Sequence, residues 1–201
     1  MRKLLFTISL VLLSMACNKK ENKTSESHPM QTQNKNEMTA LMTGMMDEMH
    51  SDKPSGNNDA DFAKMMIEHH KGAVEMSELL LKKGKNEELK SFARKVITAQ
   101  NQEIKLMEKF AEDKEVSADS KNFQKELNQS MSVMMNKEIK IYDDIDKDYA
   151  QQMIPHHQSA VDMAKVYLKY GKQKELLNLC REIVTSQTAE IAQLQLWLKN
   201  S

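Results

Sequence analysis

Two pairs of adjacent histidines are the side chains of this sequence best suited to chemistry. His69 and His70 are flanked by Met66 and Met76, and the spacing of these four positions places them on one face of a helix. The same arrangement recurs further along the chain, in Met153, His156, His157 and Met163. Neutral imidazole nitrogen and thioether sulfur are ligands that suit the soft ion Cu(I). The sequence therefore predicts that both sets bind copper, chiefly as Cu(I), with Ag(I) or Cu(II) as alternatives.

Histidines on an apolar helix face are more often structural residues than ligands, and that alternative stays open for each pair. The two pairs are nevertheless adjacent, repeated, and flanked by methionine at the same offsets. This repetition favours the metal-ligand interpretation.

Two methionine-rich segments could act as auxiliary soft-metal sites. Their residues are Met38, Met42, Met45, Met46, Met49 and His50 in the first, and Met131, Met134 and Met135 in the second. Methionine at helical spacing is also common as adaptable core filler or partner-binding surface, so both alternatives remain. In the first segment methionine replaces nearly all Leu and Ile, although an exported protein meets oxidants that damage methionine. The use of methionine in spite of this risk favours a metal-binding role for the segment.

Polar residues of the following helices could support the histidines. If the first hairpin folds about Gly84, Gln100 approaches the first histidine pair and Glu103 lies nearer Met66. Their equivalents in the second copy are Gln187 and Glu190. These side chains could orient an imidazole or ligate a harder metal. The structural alternatives are that they satisfy buried polar groups or face water.

The elements that must position these residues form an internal repeat. Residues 61–110 align with residues 148–197 without a gap, with about 20 identities in 50 positions. Apolar spacing predicts two helices in each copy, with Gly84 as the C′ glycine that ends the first helix. Short turns make consecutive helices antiparallel neighbours. We therefore predict an all-α fold: an up-down four-helix bundle built from a duplicated helical hairpin, with additional short Met-rich helices.

Several element boundaries follow from local signals. Asp59 or Asp61 and Asp148 are candidate N-caps, and Pro155 should kink its helix or mark its start. The expected order is a Met-rich helix and linker over 37–58, then the bundle over 59–201, with a Met-bearing connecting helix at about 119–145.

The amino terminus has the features of an export signal. Arg2 and Lys3 precede a short apolar run, too short to span a bilayer, that ends in small residues before Cys17. Cys17 resembles the lipidated cysteine of a bacterial lipobox. We expect a signal peptide over 1–17 and a polar, disordered tether over 18–36, so the protein would be exported and periplasmic or envelope-attached, contacting membrane through a lipid anchor only.

Composition excludes some partners and chemistries. The 29 Lys and Arg balance 29 Asp and Glu, so the chain lacks the positive charge that a nucleic-acid partner requires.

If Cys17 is lipidated, Cys180 has no disulfide partner and is most simply a small buried hydrophobe, with a copper-ligating thiol as the minority alternative. The motifs of di-iron bundles, zinc proteases, serine hydrolases and nucleotide-binding loops are missing from the sequence.

Both copies contain the string Met-Ile-x-His-His-x-x-Ala-Val-x-Met, within residues 61–76 and 148–163. This string resembles the secreted bacterial family catalogued as domain of unknown function 305, and the resemblance spans about residues 38–199. It implies a ferritin-like four-helix bundle and, through a copper-binding periplasmic relative, copper binding and copper tolerance. Glu68 of the first copy stands where the second copy has Pro155, the more usual family residue.

We expect an exported protein that sequesters copper or hands it to an exchange partner, contributing to copper tolerance or homeostasis without catalysis. One alternative is a ferritin-like metallo-oxidase that uses Glu103, Glu190 and the histidines around iron or copper. The other is a metal-free envelope interaction module whose methionine stripes grip a partner helix. That module would expose a large apolar patch.

Overall fold

The structure, a computed structural model, describes residues 36–51, 53–135 and 139–201, so the predicted leader and nearly all of the predicted tether lie outside the described residues. The helices are α1 (Glu37–Met49), α2 (Asn58–Lys83), α3 (Glu87–Met107), α4 (Ser120–Ser130), α5 (Ile145–Tyr170) and α6 (Lys174–Asn200). A short 3-10 helix, Met131–Met135, follows α4.

Two helical hairpins, one from each copy of the repeat, form the body of the fold. Helix α2 packs against α3, α5 packs against α6, and the two hairpins meet where α2 contacts α5. Helix α1 packs on α2 and α5, whereas α4 and the 3-10 helix pack mainly on α5. The prediction of an all-α bundle with additional short Met-rich helices is confirmed.

The N-caps of α2 and α5 differ from those predicted. The N-cap of α2 is Asn57, whose side chain accepts a hydrogen bond from the Ala60 amide. The N-cap of α5 is Asp144, whose side chain accepts hydrogen bonds from the amides of Asp146 and Lys147. The predicted caps, Asp59, Asp61 and Asp148, all lie within the first helical turns and bind other segments. Carboxylates are stabilised there because the helix dipole is positive at its N-terminus.

Two of these carboxylates anchor loops. Asp61 accepts hydrogen bonds from the Ser55 and Gly56 amides, and Asp148 accepts one from the Tyr142 amide. Asp148 also accepts a hydrogen bond from the side chain of Asn36. The segments before α2 and α5, and the start of α1, are thereby held to the bundle.

The hairpin turns are cross-linked between the two repeats. Asp146 at the start of α5 accepts hydrogen bonds from the amides of Lys85 and Asn86, in the turn after α2. The corresponding residue of the first repeat, Asp59, accepts one from the Lys172 amide in the turn after α5. Each repeat therefore caps the turn of the other.

Gly84 ends α2, as predicted, but its backbone is extended with φ −67°, and not left-handed like a C′ glycine. Glycine is required for space: a Cβ at this position would lie 2.6 Å from a carboxylate oxygen of Asp146 and 2.7 Å from the Leu80 carbonyl oxygen. The close approach of Asp146 replaces the left-handed turn as the means of ending the helix.

Two other expectations on helix bounds need correction. Pro155 lies inside α5, so it does not mark the start of that helix. The connecting helix expected over about 119–145 ends at Ser130, because the chain tightens there into the 3-10 helix. In the described ranges, no helix is long and apolar enough to cross a membrane.

Candidate metal centre

The four histidines of the two pairs form one buried group, here called the histidine cluster: His69 and His70 on α2, His156 and His157 on α5. All four side chains are 0% exposed. The rings of His69 and His156 lie 3.8 Å apart between centroids, with an angle of 43° between their planes. His70 and His157 flank this central pair at 6.2 and 5.9 Å from their respective neighbours. The contact between the two repeats therefore brings the two predicted sites together at the centre of the bundle.

Each outer histidine contacts a glutamate of its own hairpin. His70 Nε2 lies 2.6 Å from a carboxylate oxygen of Glu103, in hydrogen-bond geometry. His157 Nε2 lies 3.0 Å from the corresponding oxygen of Glu190 but has no hydrogen-bond partner. Glu103 and Glu190 are 18% and 26% exposed, so they link the buried cluster to solvent.

Glu103 contacts His70, in keeping with the expectation that it could orient an imidazole, although we expected it to lie nearer Met66. The turn continues to Asn86, the N-cap of α3, so the hairpin is centred beyond Gly84.

Gln100 and Gln187, at equivalent positions of α3 and α6, are both buried. Their amide oxygens have no hydrogen-bond partner. Buried polar atoms without a partner cost free energy, so these oxygens add to the unsatisfied polar groups of the bundle interior.

The inner histidines are joined by a residue that sequence reasoning missed, Ser159. Its Oγ lies 2.6 Å from His69 Nε2 and donates a hydrogen bond to the His156 carbonyl oxygen at 2.7 Å. His156 Nε2 lies 3.0 Å from the carbonyl oxygen of His69. The signal available in the sequence was the mismatch of the repeats at this position, where the first copy has Gly72.

The opposite ring nitrogens remain unpartnered. Nδ1 of every histidine in the cluster is buried without a hydrogen-bond partner. Burial lowers the pKa of His69 and His156 below the usual 6.5, and the neighbouring imidazoles lower it further. These two rings are therefore neutral near pH 7, the form in which histidine binds metals.

The methionines predicted to share the sites are fully buried as well. Met66 and Met76 lie on α2 with the first histidine pair, and Met153 and Met163 lie on α5 with the second. Over residues 36–51, 53–135 and 139–201, no group of three or more His, Cys, Asp or Glu side chains is arranged to hold a metal ion. A metal site here would have to complete its ligands with other groups, and thioethers are available on the same helices.

Most methionines of the first auxiliary segment are buried, whereas its histidine is exposed. Met38, Met42, Met45 and Met49 are buried and belong to the hydrophobic core, while His50 is exposed. The methionine stripe of α1 therefore faces its own bundle, whereas the interaction-module alternative required it to face a partner.

The remaining members of these segments are Met46, which is partly buried, and Met131 and Met134, which are buried. The side chain of Met135 lies outside the described residues. A metal-binding role for both segments remains a prediction.

Cys180 is a buried, free cysteine in the apolar stripe of α6. Burial raises the pKa of its thiol, so the thiolate that a metal would require is disfavoured. This placement matches the structural interpretation of Cys180.

Comparison with known proteins gives the following matches. A family model described as a domain of unknown function, DUF305, matches residues 12–111 and again residues 59–198. Solved structures of CopM are similar to this chain: the Ag-bound form obtained by soaking is 31% identical, with a TM-score of 0.54, covering 71% of this chain and 95% of CopM. The Cu(I)-bound and Cu(II)-bound forms are each 32% identical at the same TM-score, covering 71% of this chain and 96% and 97% of CopM. No curated protein matches the chain.

Proposed function

The chain belongs to the DUF305 family, and we propose that it binds copper, chiefly as Cu(I), as cargo inside its helical bundle. It would sequester the ion or pass it to an exchange partner, and so contribute to copper tolerance or homeostasis. Silver and Cu(II) are expected to compete for the same residues. Similarity to CopM, which has been solved with Ag, Cu(I) and Cu(II), supports this choice of metals.

The observation that carries the proposal is the set of four fully buried imidazoles with unpartnered ring nitrogens. Leaving a buried polar atom without a partner costs about 1–3 kcal/mol. Four such atoms in one buried cluster are unfavourable for a purely structural core, and an unprotonated ring nitrogen has the lone pair that a metal ligand must offer.

The ligand chemistry supports a soft ion. The residues proposed to hold it are the histidine cluster together with Met66, Met76, Met153 and Met163. Cu(I) prefers soft ligands, and both thioether sulfur and imidazole nitrogen are present on α2 and α5. This ligand set favours a soft ion.

The amino-terminal signal gives the proposed setting. Export and lipidation at Cys17 would tether the bundle through residues 18–36 to an envelope membrane. Substitution Cys17→Ala should move the protein from the membrane fraction to the soluble fraction. Retention of the variant in the membrane fraction would contradict lipid anchoring.

The binding test uses the mature chain, from which only the predicted leader is removed. It is loaded anaerobically with Cu(I) against a chromophoric chelator, and bound copper is measured by elemental analysis. We expect one or more equivalents of tightly held copper. The double variant His69→Gln/His70→Gln should bind less copper while keeping its helical circular dichroism.

Lys71→Gln is the matched control, since Lys71 follows the first histidine pair on α2 but is exposed and belongs to none of the predicted sites. It should bind as much tightly held copper as the parent protein. Equal copper uptake by the parent and a folded His69/His70 variant would contradict the assignment of these ligands. In a separate aerobic assay, oxygen-dependent turnover of Fe(II) or Cu(I) would instead favour an oxidase.

A further inference from the structure

The hydrogen bonds around the histidine cluster distinguish the two nitrogens of each ring. From them we infer that Ser159 and Glu103 are positioning residues, which hold the proton of His69 and His70 on Nε2 and leave Nδ1 as the metal-binding atom. The part of this inference that concerns metal rests on the proposed function. The tautomers themselves are a property of the metal-free protein.

For His69 the argument runs through the hydroxyl of Ser159. A hydroxyl has one proton, and Ser159 donates it to the His156 carbonyl oxygen. Toward His69 Nε2, 2.6 Å away, the same oxygen can therefore only accept, so Nε2 carries the proton. In the neutral ring Nδ1 then has a free lone pair, and it has no hydrogen-bond partner.

The same logic applies to two further rings. His156 Nε2 faces the carbonyl oxygen of His69, which can only accept. His70 Nε2 faces the carboxylate of Glu103 at 2.6 Å. An imidazolium at His69 or His156 would place a second N–H, at Nδ1, where no acceptor is found. The neutral Nε2–H form avoids that buried unpaired donor.

Two other histidines are internal comparisons. His157 lies 3.0 Å from Glu190, but neither of its ring nitrogens has a hydrogen-bond partner, so nothing fixes its tautomer. The exposed His50 contacts the Met46 carbonyl oxygen through Nδ1, at 2.7 Å, which assigns it the opposite tautomer. The five histidines of the described residues therefore comprise three fixed rings, one unfixed ring and one inverted ring.

Ser159 also makes the two repeats inequivalent. The corresponding residue of the first repeat is Gly72, where a Cβ would lie 2.6 Å from Met45 Cγ. The side chain of Met45 therefore occupies the space that a serine would need at position 72. Only His69 gains a hydroxyl partner, whereas His156 relies on a backbone carbonyl.

This arrangement matches how proteins orient metal-binding imidazoles. Such a ring usually donates its second N–H to a carboxylate, a backbone carbonyl or water, and this fixes both its tautomer and its direction. The cluster uses a carboxylate, a carbonyl and a hydroxyl for this purpose. Substitution of such partners typically weakens metal affinity about 10- to 100-fold.

The first test is nitrogen-15 NMR of the histidine side chains in the metal-free mature chain at neutral pH. Each ring is assigned by single His→Gln variants. We expect a bare Nδ1 and a protonated Nε2 for His69, His70 and His156, and a protonated Nδ1 for His50. A protonated Nδ1 in any of the three cluster rings would overturn the assignment of that ring.

The variants separate positioning from folding. Ser159→Ala should give His69 a mixture of tautomers, and Glu103→Gln should do the same for His70, because the new amide can donate as well as accept. Ser77→Ala is the matched control: Ser77 is another fully buried serine, bonded to the Tyr149 hydroxyl. It should lower stability without changing any histidine signal. Unchanged His69 signals in a folded Ser159→Ala variant would refute the role of Ser159.

Ag(I) alone is the probe for the binding atom, because its spin-½ nuclei split the resonance of a directly bound nitrogen. We expect splitting at Nδ1 with Nε2 still protonated, and about 10- to 100-fold weaker Ag(I) binding in Ser159→Ala than in Ser77→Ala. Splitting at Nε2 would overturn the choice of atom. If Ag(I) fails to bind, the proposed function and the binding role of Nδ1 both fall, while the tautomers seen without metal stand.

Discussion

His69 and His156 occupy equivalent positions of the two repeats, and their rings lie 3.8 Å apart with no carboxylate bonded to either one. Two positive charges at this separation in a dry interior would be strongly unfavourable. The close packing of the two hairpins therefore depends on both rings being neutral. Stability and the proposed metal binding would therefore depend on the same two side chains.

Mild acid should destabilise the metal-free protein through these rings. Because the pKa of His69 and of His156 is lowered in the folded state from 6.5, the unfolded chain binds more protons below about pH 6.5. Their contribution to stability is complete above that pH and is lost as the pH falls toward the folded-state pKa. The loss is at most about 1.4 kcal/mol per pH unit for each ring. Urea unfolding between about pH 7 and pH 5 measures it.

The control for acid sensitivity is the double variant His69→Gln/His156→Gln, which has no titrating ring at either position. Its free energy of unfolding should vary less with pH over the same interval. Parallel pH profiles for the parent and the variant would show that the two rings do not set the acid response.

The sequence predicts the helical hairpins and the histidine pairs well, because both depend on spacing within one helix. Glu103 was expected to be able to orient an imidazole, but its contact with His70 could not be assigned because it depends on the length of the turn after Gly84, which the helical repeat does not determine. Ser159 was missed because it acts on a histidine of the other repeat. Asn57 was missed as an N-cap because two acidic residues nearby, Asp59 and Asp61, compete for that role in sequence alone.

Removal of the Asp146 carboxylate should weaken the connection between the two repeats. Asp146→Ala leaves the amides of Lys85 and Asn86 without their acceptor, and we expect a loss of about 1–3 kcal/mol in the free energy of unfolding. Urea denaturation is the measurement. Asp162→Ala, on the more exposed side of the same helix, is the matched control and should change stability by no more than about 0.5 kcal/mol. Equal effects of the two substitutions would contradict the cross-repeat cap.

Gly72→Ala should displace α1 from the bundle. The added methyl group would lie 2.6 Å from Met45 Cγ, and overpacking of this kind typically costs about 1–3 kcal/mol. Gly44→Ala provides the matched control, since a Cβ at position 44 in α1 meets nothing within 4 Å and alanine favours a helix. Limited proteolysis should cut α1 faster in Gly72→Ala and no faster in Gly44→Ala. The prediction fails if both variants resist cleavage like the parent protein.

Exchange of the cluster methionines for leucine should separate metal binding from packing. Met66 and Met153 are fully buried, and Leu for Met is a nearly volume-conserving change that usually costs less than about 1.5 kcal/mol per site. The double variant Met66→Leu/Met153→Leu should therefore stay folded but bind Cu(I) more weakly, because it has lost two soft ligands. Competition with a chromophoric Cu(I) chelator measures the affinity.

Met107→Leu tests whether any buried thioether would give the same result. Met107 is a fully buried methionine on α3, on neither helix that carries the histidines, so its replacement should leave Cu(I) affinity unchanged. If the double variant also keeps the parent affinity, the thioethers of Met66 and Met153 are core filler and the imidazoles alone carry the binding. If Met107→Leu weakens Cu(I) binding as much as the double variant does, the loss cannot be assigned to ligands on α2 and α5.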